Sequence, residues 1–518
     1  MRSSNALMIV GTGSDVGKTT LVVGICRYLN NLGVKVAPFK GQNMALNSFV
    51  TSAGHEIARA QELQANAARV ESTNLMNPIL LKPTGDTKSQ VIVLGEPSEE
   101  LTAKEFYSKK HEYKKVVDSA LEELRSSYDF VLLEGAGSPA EINLKEVDLV
   151  NLGLCKDHSI PAVLVGDIEK GGVFASIYGT YNLLDQDERK HLNGFIINKF
   201  RGDKTLLGNG PDEIARMCET KYFGCINYFD RSGFDFEDSM SLSKLTESFH
   251  HCSNTSNHDV LDIAILKLDH ISNFNDFDPL RAEPGVRLRL VGDLRDLNDP
   301  DLIIIPGTKS TVEDLRKLES MNVGEHLSQA LENQASILGI CGGFQMLCDE
   351  IVDNVESKTG TSRGLGLLDA RCEFEKKKTL RQVRAKLAGS EDIEVFGYEI
   401  HYGKVKCGIP LFELSLENPY FCQSIRSDAS MSIDRLSAST YFEGGVDESK
   451  GIYGTAIHGV FENDSFRSEF LRKVAARRKK EITPSNISYL LLKDAWIDYV
   501  TETISKSINI EEMLGNLS

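Results

Sequence analysis

Paired cysteines, long apolar runs and surplus positive charge are all missing from this sequence, and each absence excludes something. Its ten cysteines include no Cys-x-x-Cys pair and no regular spacing, so neither a zinc site nor a disulfide framework is indicated. Nine of them read as buried thiols of a reducing compartment. Cys341 stands apart because of the residues around it. No apolar run approaches the roughly 20 residues that a membrane span requires. The first residues lack the apolar core of a secretion signal, because glycines arrive too soon. The cytoplasm is therefore the expected compartment. With 58 Lys and Arg against 75 Asp and Glu, the formal net charge is −17. That balance argues against nucleic acid or an anionic membrane as the main partner. Internal repeats and long low-complexity tracts are absent as well. What remains is ordinary globular composition, 41% apolar and 26% charged, over 518 residues. That length suits two to four domains.

The most informative stretch is Met8-Ile-Val-Gly-Thr-Gly-Ser-Asp-Val-Gly-Lys-Thr-Thr-Leu21. An apolar strand runs into a glycine turn and then into a helix. This is the context in which backbone N–H groups and a helix N-terminus face an anion. Gly13, Gly17, Lys18, Thr19 and Thr20 are the expected ATP-binding residues, with Lys18 on the terminal phosphates and the Thr19 hydroxyl on Mg²⁺. The glycines fall at Gly11 and Gly13, while Thr12 occupies the place where the strict phosphate-loop pattern has glycine. This is a one-residue variant of the motif.

A second strand, over residues 34–40, leads into a polar loop over residues 41–47. Ligands of open α/β sheets bind at such carboxyl ends. Lys40, Gln42, Asn43 and Asn47 are therefore substrate or phosphate candidates, with loop-capping amides as the alternative. Residues 54–70 read as a helix, 76–83 as a loop and 89–94 as a strand. The run Tyr128-Asp-Phe-Val-Leu-Leu-Glu-Gly-Ala-Gly137 is a strand ending in an acid and glycines. Glu134 is the candidate Mg²⁺ holder, or else a cap of the next loop. Further strands at residues 162–167 and 194–198 predict a mainly parallel α/β sheet. From residue 230 to 258 the pattern dissolves into polar residues. This reads as a linker, and its His250, His251 and His258 as solvated rather than metal-bound. The expected domains are residues 1–229, 259–466 and a helical tail over 467–518.

The second domain opens with apolar strands at 262–266 and 301–305. Then Ser336-Ile-Leu-Gly-Ile-Cys-Gly-Gly-Phe-Gln-Met-Leu347 carries Gly339-x-Cys341-x-Gly343 from a strand into a helix. That is the pattern of a nucleophile elbow. The N–H groups of Gly342 and Gly307 are the expected oxyanion hole. The helix N-terminus favours the thiolate. His458, in Gly454-Thr-Ala-Ile-His-Gly-Val-Phe461, is the expected base. His401 is a weaker candidate, structural or facing substrate. Acyl transfer through a thioester is the chemistry that this pairing suggests.

These strings resemble the cobyric acid synthase family of glutamine-dependent amidotransferases over nearly the whole chain. The resemblance also rests on Pro38-Phe-Lys-Gly-Gln-Asn-Met44, Glu134-Gly-Ala-Gly-Ser-Pro-Ala-Glu-Ile-Asn143 and Asn198-Lys-Phe-Arg-Gly202. It continues through Ile271-Ser-Asn-Phe-Asn-Asp-Phe-Asp278 and His458-Gly-Val-Phe-Glu-Asn463. It implies a dethiobiotin-synthetase-like P-loop domain joined to a class I glutaminase domain. The implied substrates are a small corrinoid acid, ATP with Mg²⁺, and glutamine as nitrogen donor. The resemblance also implies Asn198 as an adenine contact and places Asp15 near the substrate carboxylate. Commoner class I glutaminases carry an acid two residues after the histidine, and Val460 stands there. Cys341 and His458 would then act as a dyad, or with an acid from elsewhere. A dimerising P-loop partitioning ATPase is the rival of another class. It would need a second lysine where Gly13 stands, and it has no cysteine elbow. A sister amidotransferase acting on the a and c carboxylates is the nearer rival.

Overall fold

The computed structural model describes residues 5–84, 87–143, 148–229, 260–415, 440–485 and 488–515. The expected linker and its three histidines lie outside them. In the first half, six parallel strands form one sheet in the order Lys221–Asn227, Leu192–Phe200, Ala162–Asp167, Ala6–Gly11, Phe130–Glu134, Val36–Phe39. Along the strand Ala6–Gly11, Ala6, Met8 and Val10 enter one core while Leu7 and Ile9 enter another. Burial on both faces explains why such strands read as continuous apolar runs. Val36–Phe39 is one of its two edge strands, paired among the described residues with Phe130–Glu134. An edge is where Pro38, which has no N–H to donate, is tolerated.

Three expectations for this half change. Residues 76–83, expected as a loop, contain the strand Ile79–Pro83, and the polar loop over 41–47 contains the strand Gln42–Met44. They pair with each other in parallel, within a four-stranded sheet. Neither has a long apolar alternation of its own, so only a partner distant in sequence makes it a strand. The helix expected over 54–70 is shorter, Arg59–Ala67, and the strand Glu56–Ala58 precedes it.

The second half has a sheet of order Val286–Val291, Leu261–Leu266, Leu302–Ile305, Ser336–Ile340, Ile452–Thr455, Gly445–Asp447. It is parallel except for the last pair. Beside it stands a second sheet built on the long hairpin of Ala370–Leu387 and Glu394–Cys407, to which Ile457–His458 adds. The helix Asp464–Arg477 spans the expected boundary at residue 466, and its Phe466, Phe470 and Leu471 sit in this half's core.

The chain then returns to the first half. The helix Tyr489–Ser507 crosses the phosphate-loop helix Lys18–Asn31 so closely that a Cβ on Gly24 would lie 2.4 Å from Ile504 Cδ1. Arg27, 1% exposed, reaches Asp494 at 2.5 Å and Asp498 at 2.6 Å across that contact. The halves also meet directly. Ser48 N donates to Asn273 Oδ1 at 3.1 Å, and Phe274 N to Asn47 Oδ1 at 3.3 Å. Among the described residues no helix is long and apolar enough to cross a membrane.

Candidate active sites

The strand Ala6–Gly11 ends at the phosphate loop, and Thr12 N donates to Val165 O of the neighbouring strand at 2.9 Å, anchoring the loop's base. Gly17 caps the helix with φ +92°, and a Cβ there would lie 2.3 Å from Asn198 Nδ2. Glycine is required by both the conformation and the space. Asn198 Nδ2 donates to Val16 O at 2.8 Å, while its Oδ1 is buried without a protein partner. Lys199 reaches the Asp15 carbonyl and Asp167, the latter at 3.1 Å, so this strand tip braces the loop from behind. Lys18 Nζ bonds Gly13 O at 2.8 Å and Gly137 O at 3.3 Å, bridging the two glycine turns. Thr20 follows in the first helical turn, partly exposed.

Glu134 is placed beside this loop by the register Ile9↔Glu134. It is 1% exposed and takes three donors: Thr19 Oγ1 at 2.9 Å, Lys40 Nζ at 2.9 Å, and Gln64 Nε2. Burial would raise its pKa, but the Lys40 ammonium, together with Lys18 and the Gln64 amide, outweighs burial and holds the carboxyl below its usual range. A chain of amides runs back from it. Gln61 Nε2 donates to Gln64 Oε1 at 3.3 Å, and Asn43 Nδ2 to Gln61 Oε1 at 3.0 Å. Asn43 thus faces the protein interior, while Gln42 is half-buried in its short strand. Thr19 and Glu134 fit a nucleotide-bound Mg²⁺, which takes one or two protein oxygens and completes its shell with phosphate and water.

In the second half, Cys341 occupies the elbow with φ 50° and ψ −106°, a conformation strained for a residue with a Cβ. Its N–H is fixed by Thr455 O at 2.7 Å. A Cβ on Gly339 would meet Phe344 N at 2.6 Å, and one on Gly343 would meet Ile305 O at 1.9 Å. Both neighbours of the turn must therefore be glycine. Gly342 packs against Thr308, and Gly307 lies within 3.2 Å of His458 Cε1, each measured from a Cβ built on the glycine. The two expected oxyanion turns thus flank the same cavity. That cavity, about 430 Å³ including its mouth, is lined by Cys341, Thr308, Gln345, His401 and His458 among others.

His458 is 1% exposed, and its Nδ1 lies 2.7 Å from Asp276 Oδ2. The other oxygen, Oδ1, accepts Gly459 N at 2.9 Å, so the carboxylate is gripped at both ends. Burial disfavours a charged imidazole, but the Asp276 carboxylate and the Cys341 side chain outweigh it and push His458 well upward. The Tyr398 ring stacks on the imidazole at 5.4 Å, and its hydroxyl accepts from Asn273 Nδ2 at 3.1 Å. His401 is turned away from this role. Its Nε2 is 3.2 Å from Glu399, on the same strand.

Asp276 is the residue that sequence reasoning did not place. It lies within the string Ile271–Asp278, already conspicuous as a motif, but 182 positions from His458. The 3-10 turn Phe274–Phe277 brings it to the histidine.

Residues 7–240 match the family described as the CobQ/CobB/MinD/ParA nucleotide binding domain, and residues 262–466 the CobB/CobQ-like glutamine amidotransferase domain. The chain is 40% identical over 515 residues to the cobyric acid synthase of Streptomyces avermitilis, covering 98% of this chain and 96% of that protein. It is 41% identical over 510 residues to that of Listeria monocytogenes, covering 98% and 95%. With that of Clostridium kluyveri it shares 39% identity over 513 residues, covering 98% and 97%. A phosphate loop beside a buried acid, a strained cysteine beside a paired histidine, and full-length similarity of this degree lead to one assignment: the chain belongs to the cobyric acid synthase family and is a glutamine-dependent amidoligase.

Proposed function

We propose that the chain amidates the b, d, e and g side-chain carboxylates of adenosylcobyrinic acid a,c-diamide to give adenosylcobyric acid, using one ATP and one glutamine for each amide. The observation that carries this reading is the pairing of two complete sites in one chain. Lys18, Thr19 and Glu134 gather at one, and Cys341, His458 and Asp276 at the other. A carboxylate is a poor electrophile, and its phosphorylation by ATP gives an acyl phosphate with a good leaving group. Gly13, Asp15, Gly17, Lys18, Thr19 and Thr20 cradle the phosphates, and the free Oδ1 of Asn198 receives the adenine amine. Lys40 and Gln42 face the reacting carboxylate, while Asn43 acts through the amide chain that orients Glu134. Mg²⁺, held with ATP by Thr19 and Glu134, supplies positive charge to the phosphates.

At the second site the Cys341 thiolate attacks the glutamine amide carbon, and the N–H groups of Gly307 and Gly342 receive the oxyanion. His458 protonates the departing ammonia, with Asp276 fixing the ring's tautomer. Water then hydrolyses the thioester and releases glutamate. Ammonia displaces phosphate from the acyl phosphate in the other half.

The test is amide synthesis from the a,c-diamide against the unamidated acid, with ATP, Mg²⁺ and glutamine. Four amides added to the diamide is the expected result. Preference for the unamidated acid, with addition at a and c, would replace this substrate with that of the sister amidotransferases.

A further inference from the structure

At the junction of the halves, three ammonium groups meet two carboxylates in one buried place. Lys82, from the strand Ile79–Pro83 of the P-loop half, lines the same cavity as Cys341 and His458, together with Lys309, Lys378 and Glu356. Glu56, 0% exposed, is held from both sides: Lys82 Nζ lies 2.9 Å from Oε1 and Lys378 Nζ 2.7 Å from Oε2. Lys82 also donates to Ser48 Oγ at 2.8 Å. Lys309 pairs with Glu356. The histidines of the cavity have carboxylates of their own, Asp276 at His458 and, shared with Arg381, Glu399 at His401. Among the described residues of this junction, three ammonium groups face two carboxylates, an excess of one positive charge.

Such a surplus is costly away from water unless an anion arrives. The strain is visible at Lys378. Burial, opposed by Glu56 and reinforced by Lys82 and Lys309, pushes it down to about 8. Its placement is also unusual. Pairing of the hairpin strands jumps from Phe374↔Gly403 to Thr379↔His401, leaving residues 375–378 opposite Tyr402 alone. Bulges of this kind re-aim side chains beside active sites. This one delivers Lys378 to the junction.

We infer that the glutamine pocket is composite: the α-carboxylate of glutamine docks on Lys378 of the glutaminase half and Lys82 of the P-loop half, leaving the amide end at Cys341. The inference rests on Cys341 being the glutaminase nucleophile. Its consequence is that glutamine binds well only where the two halves are apposed, since one of its two cationic contacts comes from the synthetase side.

Lys82→Met and Lys378→Met test this in the full chain. Each substitution leaves Glu56 one lysine, so no buried carboxylate is stranded. The measurement is steady-state release of ammonia from glutamine and from L-glutaminamide, in which the α-carboxylate is replaced by a neutral amide. The chain should prefer glutamine. Each variant should raise KM for glutamine roughly tenfold or more, the scale of a lost charged hydrogen bond. Each should shrink the preference over glutaminamide by the same factor, with the effect on KM rather than kcat. A preference intact in both variants overturns the proposal, as does an equal loss with both amides, which marks general support of the cavity. If one variant does not fold, the other carries the same prediction from the opposite half. Glutamine hydrolysis that survives Cys341→Ser would instead overturn the nucleophile assignment beneath it.

Discussion

The candidate sites of the two halves both gather beside the carboxyl edge of a parallel sheet, at the phosphate loop and at Cys341, but are assembled differently. In the P-loop half the anion-binding parts follow one another from Gly13 to Thr20, and one register, Ile9↔Glu134, adds the acid. In the glutaminase half Cys341, His458 and Asp276 come from an elbow, an added strand and a 3-10 turn. The reason is the kind of atom employed. A phosphate is bound largely by successive backbone N–H groups, which a contiguous segment can supply. A nucleophile, its base and an orienting acid use side-chain atoms, which must converge from different elements. The two buried acids differ in the same spirit. Glu134 is held below the usual carboxylate range by contacts with Lys40, Lys18 and Gln64 that oppose the effect of burial and favour its anion. Asp276 faces a histidine that, in the proposed mechanism, gains and loses a proton in each turnover.

The sharpest way to break this comparison is to remove one half's chemistry and leave the other's. Cys341→Ser should lower glutamine-dependent synthesis by at least about 10³-fold, the scale of losing an activated nucleophile. Ammonium chloride at raised pH should restore product, because free NH₃ bypasses the thioester. Synthesis that persists on glutamine alone would separate Cys341 from the reaction. Lys18→Ala is the converse, with an expected loss on the order of 10²- to 10³-fold on either nitrogen source. Normal ammonium-supported turnover in that variant would detach the loop from acyl-phosphate formation.

Asp276→Asn sharpens the contrast between the two acids. Glutamine hydrolysis should fall by roughly 10²-fold. Stability should respond to pH as well, with a definite sign. His458 is raised from an ordinary 6.5 to about 10, so the folded state binds the proton more tightly than the unfolded one. The pair's contribution is full below about pH 6.5 and is lost as the pH rises through about 10. Thermal midpoints measured across that window should decline less steeply in Asp276→Asn than in the parent, and parallel slopes would contradict the pairing. Glu134→Gln should raise the Mg²⁺ concentration for half-maximal synthesis by about tenfold and leave glutamine hydrolysis in place. An unchanged Mg²⁺ titration would return Glu134 to a loop-capping role.

The smallest effect expected is on the contact that ties the tail to the first half. Arg27→Leu deprives the Ala67 carbonyl of its 2.8 Å donor and frees two half-exposed aspartates. Its cost should be about 1–3 kcal/mol, read as a lower thermal midpoint with little change in kcat. A midpoint equal to the parent's would show that the apolar crossing at Gly24 holds the tail helix by itself.

What was legible beforehand follows from the range of the interactions involved. The apolar runs at residues 7–10 and 130–133, the glycine loop and the cysteine elbow announce themselves because strand burial, positive φ and tight turns are properties of neighbouring residues. So the parallel sheets could be named from the sequence alone, the candidate loop, cysteine and histidine could be picked out there, and the comparisons carry the family and the two domain types. The strands Gln42–Met44 and Ile79–Pro83 could not be named, since each exists only through its partner. The tail read as helical, but the burial of its Ile497, Val500 and Ile504 in the core around the phosphate-loop helix could not be read with it. Asp276 at His458, the amide chain behind Glu134 and the two lysines on Glu56 were likewise decided by the tertiary structure. Each depends on side chains far apart in the chain meeting out of water, where an unpaired charge is costly and only a three-dimensional arrangement supplies its counter-charge.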